Sequence, residues 1–459
     1  MEVRRCVVCL ADEQLIRSDD SRRTFGAPTL EELAMSDEET VHPEGKITAE
    51  DIERAQAQIG IPQYERNPVF NRVASSDTIS HFAFGVGDDN PLWHDPRYGE
   101  TTRWRGQIAS PLYATTVGLD DTPRPTPALK KLFRGLFRGV GKYYSGAVWE
   151  WYRPIRPGDV IYREYTTSGV QVKENSSFSG GVTVIDSYRY LYVNANGEPV
   201  ATHELSFVNA ERQASKEQGR NKNIQRARYT PEDIERIDAL YAAEEIRGGD
   251  KRYWEDVRVG DELTPVVKGP MRVTDVVGFH IGWGFGQMYG AGPLRYGWKH
   301  RRRMPAFYSV DEFGVPDIVQ RLHWDPARAR ELGLPAPYDY GTMRTNWLAH
   351  LLTNWMGDDG WLVRLKTEMR AFNFLGDTTI CSGVVRAKSI EGARRLVHIE
   401  VRATNQRGEV TSPGEAIVML PSREAGAVIL PAPPEELIVR GANMMAEAAD
   451  RGRGAERGG

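Results

Sequence analysis

Apolar positions along the chain fall into two kinds of run. One repeats at the spacing of a helix face: Ile234, Ile237 and Tyr241 form a stripe behind Thr230-Pro231-Glu232-Asp233. Thr230 suits an N-cap, Pro231 the first helical position, and the acidic pair the positive end of the helix dipole. Thr48-Ala49-Glu50-Asp51 opens a similar segment, and the longest helical pattern starts at Gly341 and runs through Leu352. The other kind is β-type, at 160–167, 182–193 and 201–208, and again at 379–387, 396–404 and 414–420. Asn194-Ala195-Asn196-Gly197 and Asn405-Gln406-Arg407-Gly408 separate strands as turns. A helix followed by several antiparallel strands, found twice, predicts an α+β fold in which each helix is wrapped by its sheet.

The two sets are copies of one unit. Thr48 to Arg54 answers Thr230 to Arg236 at an offset of 182 residues, and Phe82-Ala83-Phe84-Gly85-Val86-Gly87 answers Phe279-His280-Ile281-Gly282-Trp283-Gly284 at 197. Asp95-Pro96 answers Asp325-Pro326 at 230, Gly158-Asp159 answers Gly376-Asp377, and Gly197-Glu198 answers Gly408-Glu409 at 211. Order is kept throughout, and the jump from 197 to 230 places an insertion in the second copy, at about 285–320. The expected organisation is an N-terminal extension (1–44), a first unit (45–208), a polar linker (209–229), a second unit (230–425) and a tail (426–459) disordered from Gly441 onward.

Composition narrows the function classes. The 459 residues carry 59 Lys+Arg against 63 Asp+Glu, a net charge of −4, so no global basic footprint favours nucleic acid. Mean hydropathy is −0.50 and no apolar run reaches the roughly 18 residues of a membrane helix. Three cysteines, two of them the lone Cys6-x-x-Cys9 pair, support neither a disulfide framework nor a four-ligand metal site. A cytoplasmic protein without a metal is expected.

The most specific segment is Gly87-Asp88-Asp89-Asn90-Pro91-Leu92-Trp93-His94-Asp95-Pro96. With Phe82 to Gly87 before it and Gly106-Gln107-Ile108-Ala109-Ser110-Pro111 after it, the segment resembles the signature of the MaoC-like, (R)-specific enoyl-CoA hydratase/dehydratase family, roughly G-D-x-N-P-[LIV]-H-x-D-P. Residues 323–343 resemble the same region in the second copy. The resemblance implies a double hotdog. It also implies a catalytic Asp, a His five residues later, and a backbone N–H at the start of the hotdog helix that meets the thioester oxygen.

Hydration of a double bond conjugated to a thioester needs a base for water, an acid for the α-carbon and donors for the enolate oxygen. Neither copy keeps the whole pattern. In the first, Asp88, Asn90 and Pro91 are present, but Trp93 stands on the His position and Pro111, which has no N–H, on the helix start. Asp89 and His94 form a shifted pair at the family spacing. In the second, His323 and Gly341 fill their positions and Phe285 stands on the Asp position. Asp317, six residues before His323, is the expected carboxylate, with Asp311 and Glu312 behind it. Asp88 also reads as a turn cap, His323 as a core histidine, and Asp95 and Asp325 as helix caps, while His81, His280 and His350 default to packing.

The resemblance implies an acyl-CoA hydratase/dehydratase with no cofactor beyond the coenzyme A of its substrate. His323 is its acid/base, Asp317 the partner and the Gly341 amide the oxyanion donor, with Asp88, Asp89 and His94 in reserve. Asn90, Trp324, Tyr338 and Tyr340 are expected at the acyl group. Lys130-Lys131 and Arg301-Arg302-Arg303 are candidates for the coenzyme A phosphates, or equally solvated faces. A hotdog thioesterase and a catalytically silent acyl-CoA-binding subunit are the alternatives. The expected assembly is a homodimer or a hetero-oligomer with another hotdog subunit.

Overall fold

The computed structural model describes residues 45–64, 69–120, 125–174, 181–211, 224–284 and 292–456. The extension at 1–44, with Cys6 and Cys9, lies outside these residues, as do Phe285 and much of the linker. Among the described residues no helix is long and apolar enough to cross a membrane.

The first half supplies β1 (Leu119–Asp120), β2 (Gly141–Trp151), β3 (Ile161–Lys173), β4 (Thr183–Asn194) and β5 (Pro199–Ala210). The second supplies β6 (Val266–Lys268), β9 (Trp361–Glu368), β10 (Thr379–Glu391), β11 (Arg394–Asn405) and β12 (Val410–Met419). All ten form one sheet in the order β1-β3-β4-β5-β2-β9-β12-β11-β10-β6. The four long strands of each half repeat one arrangement, β3-β4-β5-β2 answering β10-β11-β12-β9, while the edges differ, β1 pairing parallel with β3 and β6 antiparallel with β10. The halves meet where β2 pairs antiparallel with β9, Val148 opposite Lys366. This is a double hotdog. The sequence reading predicts neither seam strand. In β2 the alternation is broken at Gly146, where the pairing with β5 shifts register and a Cβ would meet the Thr367 carbonyl at 2.4 Å.

Among the helices, α1 (Ala49–Gln56) and α3 (Pro231–Ala242) begin the two halves, each N-capped by the predicted threonine. The helices α2 (Ser76–Val86) and α4 (Val273–Trp283) end on left-handed glycines, Gly87 and Gly284. They pack face to face through Gly85 and Gly282, where a Cβ on Gly85 would lie 3.1 Å from the Gly282 Cα. Equivalent residues touch in this way only beside a two-fold axis relating the copies.

Two departures from expectation shape the interior. Among the described residues only the second half has a full wrapped helix, α5 (Gly341–Met356), buried from Met343 to Met356. The first half has a 3-10 turn, Pro111–Thr115, before β1. Thr115, Thr116 and Val117 are β-branched and poor at continuing a helix, and Gly118 then takes φ 141°, a conformation open to glycine. The second departure is the tail, where a disordered segment was expected from Gly441 and a helix, α6 (Glu435–Glu456), is found. Met444 is buried against Leu191 and Val193 of β4. Gly441 lies so close to the Gly197 carbonyl that a Cβ would stand 2.2 Å from it, and Arg440 pairs with Glu164. The polar final residues hide an apolar stripe at 437, 441, 444 and 445. The described part of the insertion forms a helix (Arg295–Arg303) and a separate hairpin of β7 (Tyr308–Val310) with β8 (Pro316–Ile318).

Candidate active site

His323 ends a 3-10 turn, Val319–His323, beneath the insertion hairpin. Arg321, 2% exposed, clips that turn to the hairpin through the Ser309, Val310 and Asp317 carbonyls and to Asp325. The His323 ring is buried against the chain that enters α5. Its Nδ1 lies 2.8 Å from the Tyr338 carbonyl oxygen and its face stacks on Tyr340, centroids 3.8 Å apart. A carbonyl only accepts, so Nδ1 carries the proton and Nε2 keeps its lone pair. Burial lowers the imidazole pKa to about 4, His280 nearby adding to the shift. Desolvation likewise lowers His280 to about 4. The His280 ring lies 5.0 Å from Tyr340 and 5.8 Å from Trp324. Tyr338 and Tyr340 thus pack on His323, and Trp324 joins them through His280.

Gly341 opens α5 directly after Tyr340, and no side chain caps this helix N-terminus. A Cβ at Gly341 would meet the Tyr144 ring of β2 at 2.4 Å, so the close approach of the first half requires glycine there. Asp339, between the two tyrosines, is buried and paired with Arg344 at 2.9 Å. Desolvation, only partly offset by Arg344, raises its carboxyl pKa to about 6.

Asp317 does not partner His323. It sits on β8, where its carboxylate accepts from the Ile318 amide at 2.7 Å. A spacing of six residues fails because β8 and the turn separate the two side chains. Asp311 likewise serves the hairpin, accepting from the Phe313 and Val315 amides. Among the described residues no carboxylate hydrogen-bonds His323.

The shifted pair of the first half is not formed either. His94 bonds Ser80 Oγ through Nδ1 at 2.8 Å and the Asp88 carbonyl through Nε2 at 2.7 Å, while Asp89 is exposed. Asn90 caps the short helix after it, accepting from the Leu92 amide. Asp88 is 3% exposed and accepts from the Asn90 amide at 3.2 Å and the Trp93 indole at 3.0 Å. Trp93 therefore fills the family His position as a donor to the carboxylate. Burial raises the Asp88 carboxyl to about 6 against the attraction of Lys268.

Sequence reasoning missed two neighbours of Asp88 that come from the other half. His350 of α5 brings Nε2 to 3.5 Å from an Asp88 oxygen, and its Nδ1 lies 2.9 Å from Lys268 Nζ. Lys268 also donates to the Gly87 carbonyl at 2.7 Å, binding the C-terminal end of α2. A lysine closing the apolar strand Val266-Val267-Lys268 was the available signal. Lys130, Lys131, Arg302 and Arg303 are exposed, and Arg302 lies over the Trp298 ring.

Residues 64–203 match the family model described as FAS1-like, dehydratase domain region. A search of curated proteins returns no match. Among solved structures the chain is similar to a MaoC-like dehydratase, at 17% identity over 80% of this chain and 99% of that one, with a TM-score of 0.53. A putative MaoC domain protein dehydratase from Chloroflexus aurantiacus shares 11% identity over 80% and 96% of the chains, TM-score 0.47. A conserved hypothetical protein of Mycobacterium tuberculosis with a double hotdog fold shares 10% over 79% and 96%, TM-score 0.45.

Proposed function

We propose that this chain, a MaoC-like double hotdog protein, is a hydratase/dehydratase of acyl thioesters that adds water reversibly to a 2-enoyl-CoA to give a 3-hydroxyacyl-CoA. The observation that carries this reading is His323, a buried neutral imidazole with its Nδ1 proton committed to the Tyr338 carbonyl, beside the uncapped N-terminus of α5.

The positive end of a helix dipole suits an oxygen that becomes negative as the thioester takes up charge. His323 Nε2 accepts a proton from water as the water oxygen bonds to C3. The electron pair of the C2–C3 double bond moves toward the thioester carbonyl, whose oxygen the Gly341 end of α5 stabilises. The imidazolium then returns its proton to C2, so one water has been added and His323 is regenerated. In this one-histidine scheme the Trp324, Tyr338 and Tyr340 rings exclude other water. Neither a metal nor a redox cofactor is required by it.

The test is a spectroscopic assay with crotonyl-CoA and longer or branched enoyl-CoAs, run beside a thiol reagent. Loss of enoyl absorbance without thiol release is expected. Release of free coenzyme A matching substrate loss would replace the hydratase by a thioesterase, and binding without either change would leave a silent subunit.

A further inference from the structure

The insertion of the second half has no counterpart in the first, and the function proposed above draws on it only through the hairpin that Arg321 holds. Between Asp275 and Asp311 the sequence has no carboxylate, yet it carries Arg295, Lys299, Arg301, Arg302 and Arg303. In a chain of net charge −4 this is a local excess of five positive charges. We propose that the insertion helix (Arg295–Arg303) is a docking surface for an anionic lipid membrane, its cations settling on the headgroups while Leu294, Tyr296 and Trp298 enter the apolar boundary.

One side of this helix is committed to the protein. His300 is 4% exposed, and its Nδ1 lies 3.0 Å from the Tyr308 hydroxyl, which donates to the Gly297 carbonyl at 3.2 Å. The Phe307 ring meets His300 edge-on, centroids 5.5 Å apart. At about 100° per residue the opposite side carries Trp298, Arg302, Arg295 and Lys299, with Tyr296 and Arg303 at its margins. All six are exposed. Among the described residues none of the five cations is paired with a carboxylate. Arg295 and Arg302 lie instead over the Trp298 ring, 5.6 and 5.3 Å from its centroid, so the indole stands among charges.

The apolar members are as open as the cations. Leu294 is 92% exposed and Tyr296 69%. Leu294 also takes φ 53°, a region that a leucine seldom adopts, and nothing in the chain repays it by burial.

These two features together select the partner. A soluble polyanion would neutralise the cations and leave Leu294 and Tyr296 in water. An anionic bilayer takes up both, because lysine and arginine are drawn to its surface while tryptophan, tyrosine and leucine settle at the boundary of headgroups and acyl chains. The neighbouring hairpin brings Asp311, Glu312 and Asp317, so the attraction belongs to the helix face and not to the insertion as a whole. Binding by so short a surface is reversible and sensitive to salt. The inference goes beyond the hydratase reading and does not depend on it, since lipid binding is measured without turnover.

Cosedimentation of the full chain with vesicles of phosphatidylcholine, and of phosphatidylcholine mixed with phosphatidylglycerol, tests it. Binding is expected to the mixed vesicles only, with release at about 1 M salt, where the screening length falls to about 3 Å. Arg302→Gln together with Arg303→Gln should weaken it about tenfold or more. Leu294→Gly, which suits the backbone at that position, should weaken it about tenfold through the lost apolar contact. Arg386→Gln, at an exposed arginine of β10, should change nothing. Absence of binding, equal binding to the two vesicles, persistence in high salt, or equal loss in the Arg386→Gln protein would each overturn the proposal. Undiminished binding by the Leu294→Gly protein, or tighter binding to RNA or polyglutamate than to the vesicles, would overturn it in favour of a soluble polyanion.

Discussion

Removing the carboxylate of Asp339 should cost the protein about 3–5 kcal/mol, the penalty expected when one partner of a buried ion pair is deleted. Asp339 is 0% exposed and Arg344 3%, so the guanidinium left behind cannot turn to solvent. Arg344 Nη1 would still donate to the Ala371 and Thr411 carbonyls at 2.7 and 3.0 Å, but its Nη2, 3.1 Å from Asp339, would lose its acceptor. The carboxyl pKa, raised to about 6 by burial despite the cation, indicates that desolvation outweighs the attraction within the pair. The double replacement Asp339→Leu with Arg344→Met should therefore recover most of the loss, since no charge then remains buried. Urea unfolding followed by tryptophan fluorescence measures both, provided the slopes match. A loss below about 1 kcal/mol for Asp339→Ala, or a double variant less stable than either single one, would refute this account of the pair.

His323→Ala should lower hydration by a factor of about 10²–10⁴, the usual contribution of a general acid–base group, with the circular dichroism spectrum unchanged; a residual rate above a tenth of wild type would remove His323 from the chemistry. Because the folded imidazole titrates at about 4, the hydration rate should be flat between pH 7 and 5 and fall below about pH 4, and an inflection near 6.5 would contradict the burial of this ring. Stability should also decline on acidification from pH 6.5 toward 4. His203, His280 and His323 have folded pKa values of about 3, 4 and 4, so the unfolded chain binds their protons first. Asp88 and Asp339, raised to about 6, act in the opposite sense and make the decline shallower, and urea midpoints that rise through this window would refute the balance. Leu348→Ala, at a fully buried position of α5, should cost about 2–5 kcal/mol by leaving a cavity, read from the same urea titration; a smaller loss would mean that the helix relaxes into the space.

The duplication is legible in the sequence because glycines at turns and helix ends leave signatures that survive when the side chains around them diverge. Gly87 and Gly284 are left-handed caps, and Gly85 and Gly282 allow α2 and α4 to touch. Strands bounded by Asn-x-x-Gly turns are legible for the same reason. The seam is not, because β2 and β9 take their pairing from each other across more than 200 residues, a relation no local pattern carries. The missing first-half helix leaves only a weak local trace in the β-branched residues after Pro111, whereas α6 is hidden by the arginines and glycines that follow its apolar stripe.

The site was legible only where one copy of the motif carries it. His323 and Gly341 can be found because each fills its family position, and the residues between them, Tyr338 and Tyr340, arrive with the same loop. Asp317 cannot be judged by counting, since the clip from Arg321 to the hairpin decides where a residue six places upstream points its side chain. Asp88 shows the opposite difficulty. Read alone it is a turn residue beside a tryptophan that has displaced a histidine, yet it lies 3.5 Å from His350, a residue 262 positions later whose own copy gives no reason to single it out. Lys268, from a third segment, links His350 to the end of α2. Such a cluster exists only after the halves have docked, so its members carry no mutual spacing in either copy. In a fused dimer of this kind, the lone lysine or histidine inside an otherwise apolar element marks the places where one half reaches into the other.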